Sequence, residues 1–283
     1  MTRSRLAVSA LFLLTAAGVA AVAALPAHEV AHKATPAAPL AAAATNPLAK
    51  LVEDKSAAVV TVKFVLKVEF PGRGEREFER EAFGVVMDPA GTVLISNLLM
   101  GGSNRGEMTI TATQIKVLVG DDTEGLPAKL VTRDSELDLA WIKLDAPPEK
   151  PLVAVDFAKG VEPTIGDPIL VLDRLEKFFD RVPVVNETKV GAIAKKPRPL
   201  YWPADEGKRI GTPIFTLDGK VVGFSVYQNT SSDDEDDMGG RPAVIILPAA
   251  EVVTATERAF KAAAEGKGDA PPAADKPEGM EPK

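Results

Sequence analysis

Cysteine is absent from this 283-residue chain, and histidine occurs only twice. Without cysteine there is no disulfide, no thiolate metal site and no cysteine nucleophile, and the redox compartment stays open. Positive charge is in deficit: 33 basic residues face 40 acidic ones, for a net charge of -7. That balance argues against general affinity for nucleic-acid phosphate or anionic lipid, so no nucleic-acid partner is expected. A phosphate-cradling loop is missing too, because "GGSNRG" lacks the lysine and the following helix such a loop needs. Long apolar runs stop after the first, and no internal repeat suggests a solenoid or propeller.

That first run, "LAVSALFLLTAAGVAAVAAL" from Leu6 to Leu25, follows Arg3 and Arg5 and carries small residues at Ala21, Ala23 and Ala24. The pattern reads as a secretory signal over residues 1–25, which predicts a secreted or periplasmic protein with no membrane span once the signal is removed. The alternative is an uncleaved N-terminal anchor, since about 20 apolar residues suffice to span a bilayer. The segment "HKATPAAPLAAAATNP" is too poor in large apolar groups to build a core. Residues 26–50 therefore read as an Ala/Pro-rich tether, residues 51–265 as the folded domain and residues 266–283 as a disordered tail.

Short strands dominate the domain. In "AAVVTVKFVLKVEF" the apolar residues alternate at Val60, Val62, Phe64 and Leu66 before the turn "PGRGE". "AFGVVM" and "TVLISN" flank the turn "DPAG" as a hairpin would. "TATQIKVLV", "AKLVTRD", "LDLAWIKL", "DPILVLD", "TKVGAIA", "TPIFTLDGK" and "VVGFSVY" continue the series. No long helices separate them, which predicts an all-β sandwich or barrel. One helix is expected after Pro248, with Val252, Val253, Thr256, Ala259, Phe260 and Ala263 on one face.

Two clusters could hold a metal. His28, Glu29 and His32 form "HEVAH", the spacing of a zinc hydrolase. Its place at the edge of the signal and tether provides neither a packed helix nor outer partners for the ligands. The acidic run Asp233, Asp234, Glu235, Asp236 and Asp237 lacks the alternating ligands and fixed glycine of an EF-hand loop and reads as a solvated loop. No metal and no cofactor is expected. If both histidines belong to the leader and tether, the domain holds no imidazole to act as a general base.

In order along the chain, "SAAVVTVKFV" with "EAFGVVMDPAGTVLISNLLM", then "AKLVTRDSELDLAWIKLD", "EPTIGDPILVLD" and "GTPIFTLDGKVVGF" with "AVIILPAAEVV" resemble the trypsin-like serine proteases of the bacterial HtrA/Deg type. The resemblance covers about Lys55 to Phe260. It implies two six-stranded antiparallel β-barrels of the chymotrypsin kind with a C-terminal helix, and no appended PDZ domain is expected after them. It also assigns the triad positions to Leu98, Asp138 and Ile210, and the oxyanion-hole positions to Lys208 and Ile210. Arg209, Gly211 and Thr212 would border the peptide cleft. A leucine accepts no proton and an isoleucine attacks no carbonyl, so the resemblance implies an inactive homologue that binds a protein or peptide. The alternatives are an active serine endopeptidase whose nucleophile lies elsewhere, with Ser96, Ser225 and Thr212 as candidates and Lys208 as base, and the zinc enzyme built on "HEVAH". The oligomeric state is open.

Overall fold

The computed structural model describes residues 46–102, 108–120, 122–205, 209–229 and 242–266. Helix α1 spans Pro47–Lys55 and leads through one 3-10 turn into the first barrel. The helix starts inside the segment expected to be tether, because the Asn46 side chain caps it by accepting from the Leu48 N–H at 3.0 Å. Proline stands at the first helical position, where it removes no needed donor.

The first barrel comprises β1 (Val59–Phe70), β2 (Gly74–Val86), β3 (Thr92–Ser96), β4 (Thr109–Leu118), β5 (Leu126–Asp134) and β6 (Leu139–Leu144). They close in the order β1-β2-β3-β6-β5-β4, and every neighbouring pair is antiparallel. The second barrel comprises β7 (Pro168–Arg174), β8 (Pro183–Ala194), β9 (Leu200–Pro203), β10 (Pro213–Thr216), β11 (Val221–Asn229) and β12 (Pro242–Pro248). It closes as β10-β11-β12-β9-β8-β7. Helix α2, Ala249–Ala264, follows directly from β12.

Strand alternation sorts the apolar residues between the barrel interiors and the seam. On β1, Val60, Val62 and Phe64 fill the first barrel with Ile95, Val117 and Ile142, while Val59 turns outward into a second cluster. That cluster joins Val85, Leu94 and Trp141 of the first barrel to Leu170, Phe215 and Phe224 of the second, and to Val252 and Ala255 of α2. The Trp141 indole N–H donates to Thr256 Oγ1 at 3.1 Å, so the same ring buries apolar area and satisfies its polar edge. The second barrel's own interior is the smaller group of Ile169, Val190, Tyr201, Ile214, Val222 and Ile246. No helix of the described residues is long and apolar enough to cross a membrane.

Candidate functional site

The site begins where β3 runs out. After Ser96 the chain turns through Asn97, Leu98 and Leu99, and this turn is held from inside by Asp138 just before β6. The Asp138 carboxylate accepts from the Leu98 N–H at 2.7 Å, from the Ser96 hydroxyl at 2.8 and 3.0 Å, and from the Tyr227 N–H on β11 at 2.8 Å. Its own carbonyl accepts from the Asn97 N–H at 3.0 Å. One buried carboxylate thus ties the first barrel's turn to the second barrel. Burial pushes the Asp138 carboxyl above the usual carboxylate range, and these hydrogen bonds pull partly the other way. Asn97 completes the turn: its amide donates to Gly102 O, and its oxygen accepts from Arg133.

Ile210 and Gly211 approach the same turn from the other barrel. Gly211 has φ +81°, and a Cβ there would stand 3.2 Å from Phe83 O and 3.4 Å from Leu99 Cδ1. Only glycine combines that left-handed backbone with so close an approach. The Gly211 N–H donates to Ser225 O at 2.9 Å. Thr212 and Ser225 are both buried and close on each other. The Thr212 N–H donates to Ser225 Oγ at 3.0 Å, and the two hydroxyls lie 2.8 Å apart. The Ser96 hydroxyl is committed to Asp138, and the Ser225 hydroxyl also donates to Thr212 O at 3.2 Å.

Arg209 reaches away from this turn. Its Nη1 lies 2.9 Å from Asp173 Oδ2, as a charge contact without the alignment of a hydrogen bond; Asp173 is fully buried and Arg209 is 42% exposed. The other Asp173 oxygen accepts from the Arg174 N–H at 2.7 Å. Burial raises the Asp173 carboxyl, and the Arg209 guanidinium opposes that rise.

A cavity of about 420 Å³ reaches the same Ser225 and Arg209. Each strand of the second barrel contributes to its wall: Val171, Thr188, Pro203, Ile214, Ser225 and Ile246. The wall is largely apolar, with the Ser225 and Thr188 hydroxyls and the Asn186 amide as its neutral polar groups, and the Thr188 hydroxyl is buried without a hydrogen-bond partner. Charge collects around it at Glu187, Asp205 and Arg209. A small barrel core leaves this space unfilled, and the space suits an apolar side chain.

Of the residues singled out from sequence, the structure brings Leu98 and Asp138 into direct contact and sets Gly211, beside Ile210, against the same turn. Lys208, the two histidines with Glu29, and the acids Asp233 to Asp237 lie outside the described residues. Among the described residues no cluster of histidine, cysteine, aspartate or glutamate could hold a metal. Sequence reasoning missed the Asp173–Arg209 pair, the Tyr227 N–H and the cavity. Only "VLDR", an aspartate in an apolar strand, hinted at the first.

With that geometry in place, the fold defines a class: the trypsin-like two-barrel architecture of HtrA-type proteases. Among solved structures the chain is similar to the HtrA-type protease AlgW with a tripeptide, at TM-score 0.51 and 18% identity, covering 78% of this chain and 64% of that one. For the same protease with a decapeptide the TM-score is 0.52, with 77% and 67% covered. In sequence the chain is similar to two proteins named "Probable periplasmic serine endoprotease DegP-like". That of Rickettsia conorii is 25% identical over 155 residues, spanning 50% of this chain and 27% of the relative. That of Rickettsia prowazekii is 30% identical over 125 residues, spanning 40% and 23%. The chain therefore matches about a quarter of the length of these relatives. No protein-family profile matches it. By sequence and fold together, the chain is homologous to HtrA/DegP-like serine proteases.

Proposed function

We propose that this protein is a proteolytically inactive homologue of those proteases that binds a protein or peptide segment through the former cleft. The observation that carries the reading is the closure of Asp138. Where a triad aspartate would orient an imidazole, its oxygens are occupied by two backbone N–H groups and the Ser96 hydroxyl, and Leu98 stands at the histidine position. The described residues contain no histidine, so none of them supplies an imidazole base to their serines. At the nucleophile position Ile210 offers no attacking atom, and the Ser96 and Ser225 hydroxyls are buried and already bonded. The cavity beside Ser225 survives this loss and supplies what a binding module keeps, a place for one apolar side chain with charge at its mouth.

The relatives are named as periplasmic proteins, which supports a periplasmic location and fits the N-terminal signal pattern. Binding is tested by titrating fluorescein-labelled peptides that carry a central Phe or Leu into protein at sub-micromolar concentration and reading anisotropy. Saturable binding is expected, weakened by an alanine in place of the apolar residue and by V184W, which fills the cavity's edge. Peptides that do not bind, or bind equally well to V184W, would remove the reading.

A further inference from the structure

The strands of the second barrel are unequal, and their lengths leave a gap. β8 runs for 12 residues and β12 for 7, but β9 between them has only 4. β9 meets β8 from Val190 to Ala194 and touches β12 through the Tyr201–Ile246 pair. From Pro183 to Thr188, β8 pairs with β7 on one side, and among the described residues no strand pairs with the other side. A strand left out of a sheet leaves a slot about 9–10 Å wide, twice the spacing of paired strands. The cavity lies along this slot, with Val184, Asn186 and Thr188 of β8 on one flank and Val244 and Ile245 of β12 on the other.

β8 offers the slot backbone groups as well as a wall. The Val190 N–H donates to Asp167 O on the β7 side, whereas Lys189 O accepts from the Ala204 N–H on the other. Bonding direction alternates along an antiparallel strand, so Val185 and Glu187 turn their N–H and C=O to the open side. Pro183 adds a carbonyl and, having no N–H, ends the row. Side chains alternate with the same period: Val184, Asn186 and Thr188 line the cavity, while Val185 packs against the seam cluster and Glu187 is exposed at the cavity's mouth.

We infer that the bound peptide enters as an added strand on the free edge of β8, in the line that β9 leaves empty, with a basic residue on each side of its apolar anchor. The anchor points into the cavity opposite Asn186, and its two neighbours lie opposite Val185 and Glu187, pointing outward while their backbones bond that edge. Charge sets what those neighbours are. Glu176 and Asp180 on the β7–β8 turn, Glu187 on β8 and Asp205 after β9 have no ion-pair partner among the described residues, and only Lys177 and Lys189 on these elements oppose them. Arg181 is committed to Glu81, and Arg209 to Asp173. The surround is therefore acidic on balance, and it favours Lys or Arg opposite Glu187 and disfavours an acid there. This inference rests on the reading of the cavity as a receptor for an apolar side chain and adds the peptide's direction of entry and its flanking chemistry.

Fluorescence anisotropy with short labelled peptides at low ionic strength tests it, with circular dichroism to establish that the variants fold. One peptide carries a central Phe between two lysines, another the same Phe between two glutamates. The wild type is expected to bind the lysine form at least about tenfold more tightly, and the preference is expected to fade at high salt. E187K, at an exposed position, is expected to cut that preference at least about threefold. Methylating the two flanking amide nitrogens of the lysine peptide removes its donors to the β8 edge and is expected to weaken wild-type binding at least about tenfold, whereas methylating a terminal amide changes it less than about twofold. This arm needs no protein variant, so it decides even if E187K does not fold. Equal binding of the two peptides, an E187K protein that keeps the full preference, or indifference to flanking methylation, with V184W still weakening binding, overturns strand addition and keeps the receptor reading. No binding by any peptide, or binding that V184W leaves unchanged, overturns both.

Discussion

Asp138 and Asp173 are both carboxylates whose pKa burial raises, but their partners differ: backbone N–H groups and a hydroxyl for the first, a guanidinium for the second. Asp138 holds N–H groups from both barrels, so Asp138→Asn turns an NH₂ group toward a backbone donor that still needs an acceptor. A cost of about 1–3 kcal/mol at pH 7 is expected, read by urea unfolding. Burial raises the Asp138 pKa in the folded state, so folded protein binds the proton more tightly than unfolded protein. Its contribution is then complete below the unfolded value and is lost as pH rises through the folded value. The gap between wild type and D138N should accordingly widen as pH falls through that window, and a gap independent of pH would contradict the assignment. Arg209→Ala strips the paired cation from buried Asp173. Because Arg209 is half exposed, a loss of about 2 kcal/mol is expected, below the 3–5 typical of fully buried pairs. That loss should shrink at low pH, where a protonated Asp173 needs no cation; a loss that grows on acidification would rule this out.

At the scale of elements, the β7–β8 turn stores strain that substitution can release. Asp180→Gly relieves the left-handed backbone and is expected to stabilise by up to about 1 kcal/mol, whereas Asp180→Val should cost about 1–2. Urea midpoints at unchanged slope check both. Strands whose side chains alternate, such as β1, were legible because Val60, Val62 and Phe64 face one interior. The first half of β2 was not: "GEREFERE" follows the turn "PGRGE" with Phe78 as its single apolar residue, yet it pairs with β1 from Gly74 onward and places Glu75 beside Lys67 and Glu79 beside Lys63. Here β1 also pairs with β4, so this half of β2 is the exposed edge of a sheet, and charge pairing along it leaves no apolar period to read. The short β9 was hidden likewise, with Trp202 pointing outward between Tyr201 and Pro203. On α2, Val252 and Ala259 are buried as the stripe predicts, while Val253 and Phe260 pack at its edge.

At the scale of the molecule, the order of motifs made both barrels legible, because each strand ends in a turn whose chemistry is local. What joins the barrels was not legible, since its partners are far apart in sequence. Arg174 on β7 donates to Val59 O, Ser56 O and Arg181 O, binding the second barrel to the start of the first. Arg174→Met should cost about 3 kcal/mol or more in urea unfolding, because charged hydrogen bonds of about 1.5–3 kcal/mol each are lost and the carbonyls left buried. A change below 1 kcal/mol, on the order of one neutral hydrogen bond, would show that the seam is held elsewhere. The cavity was equally hidden: each strand of the second barrel contributes a residue that looks like ordinary core. The central claim is that the site binds without cutting. Its most direct test is fluorophosphonate labelling and casein turnover of the purified protein, beside L98H/I210S. The account predicts neither label nor turnover in the wild type, with any gain in the variant marking the site. A labelled serine and chelator-insensitive turnover in the wild type would contradict it.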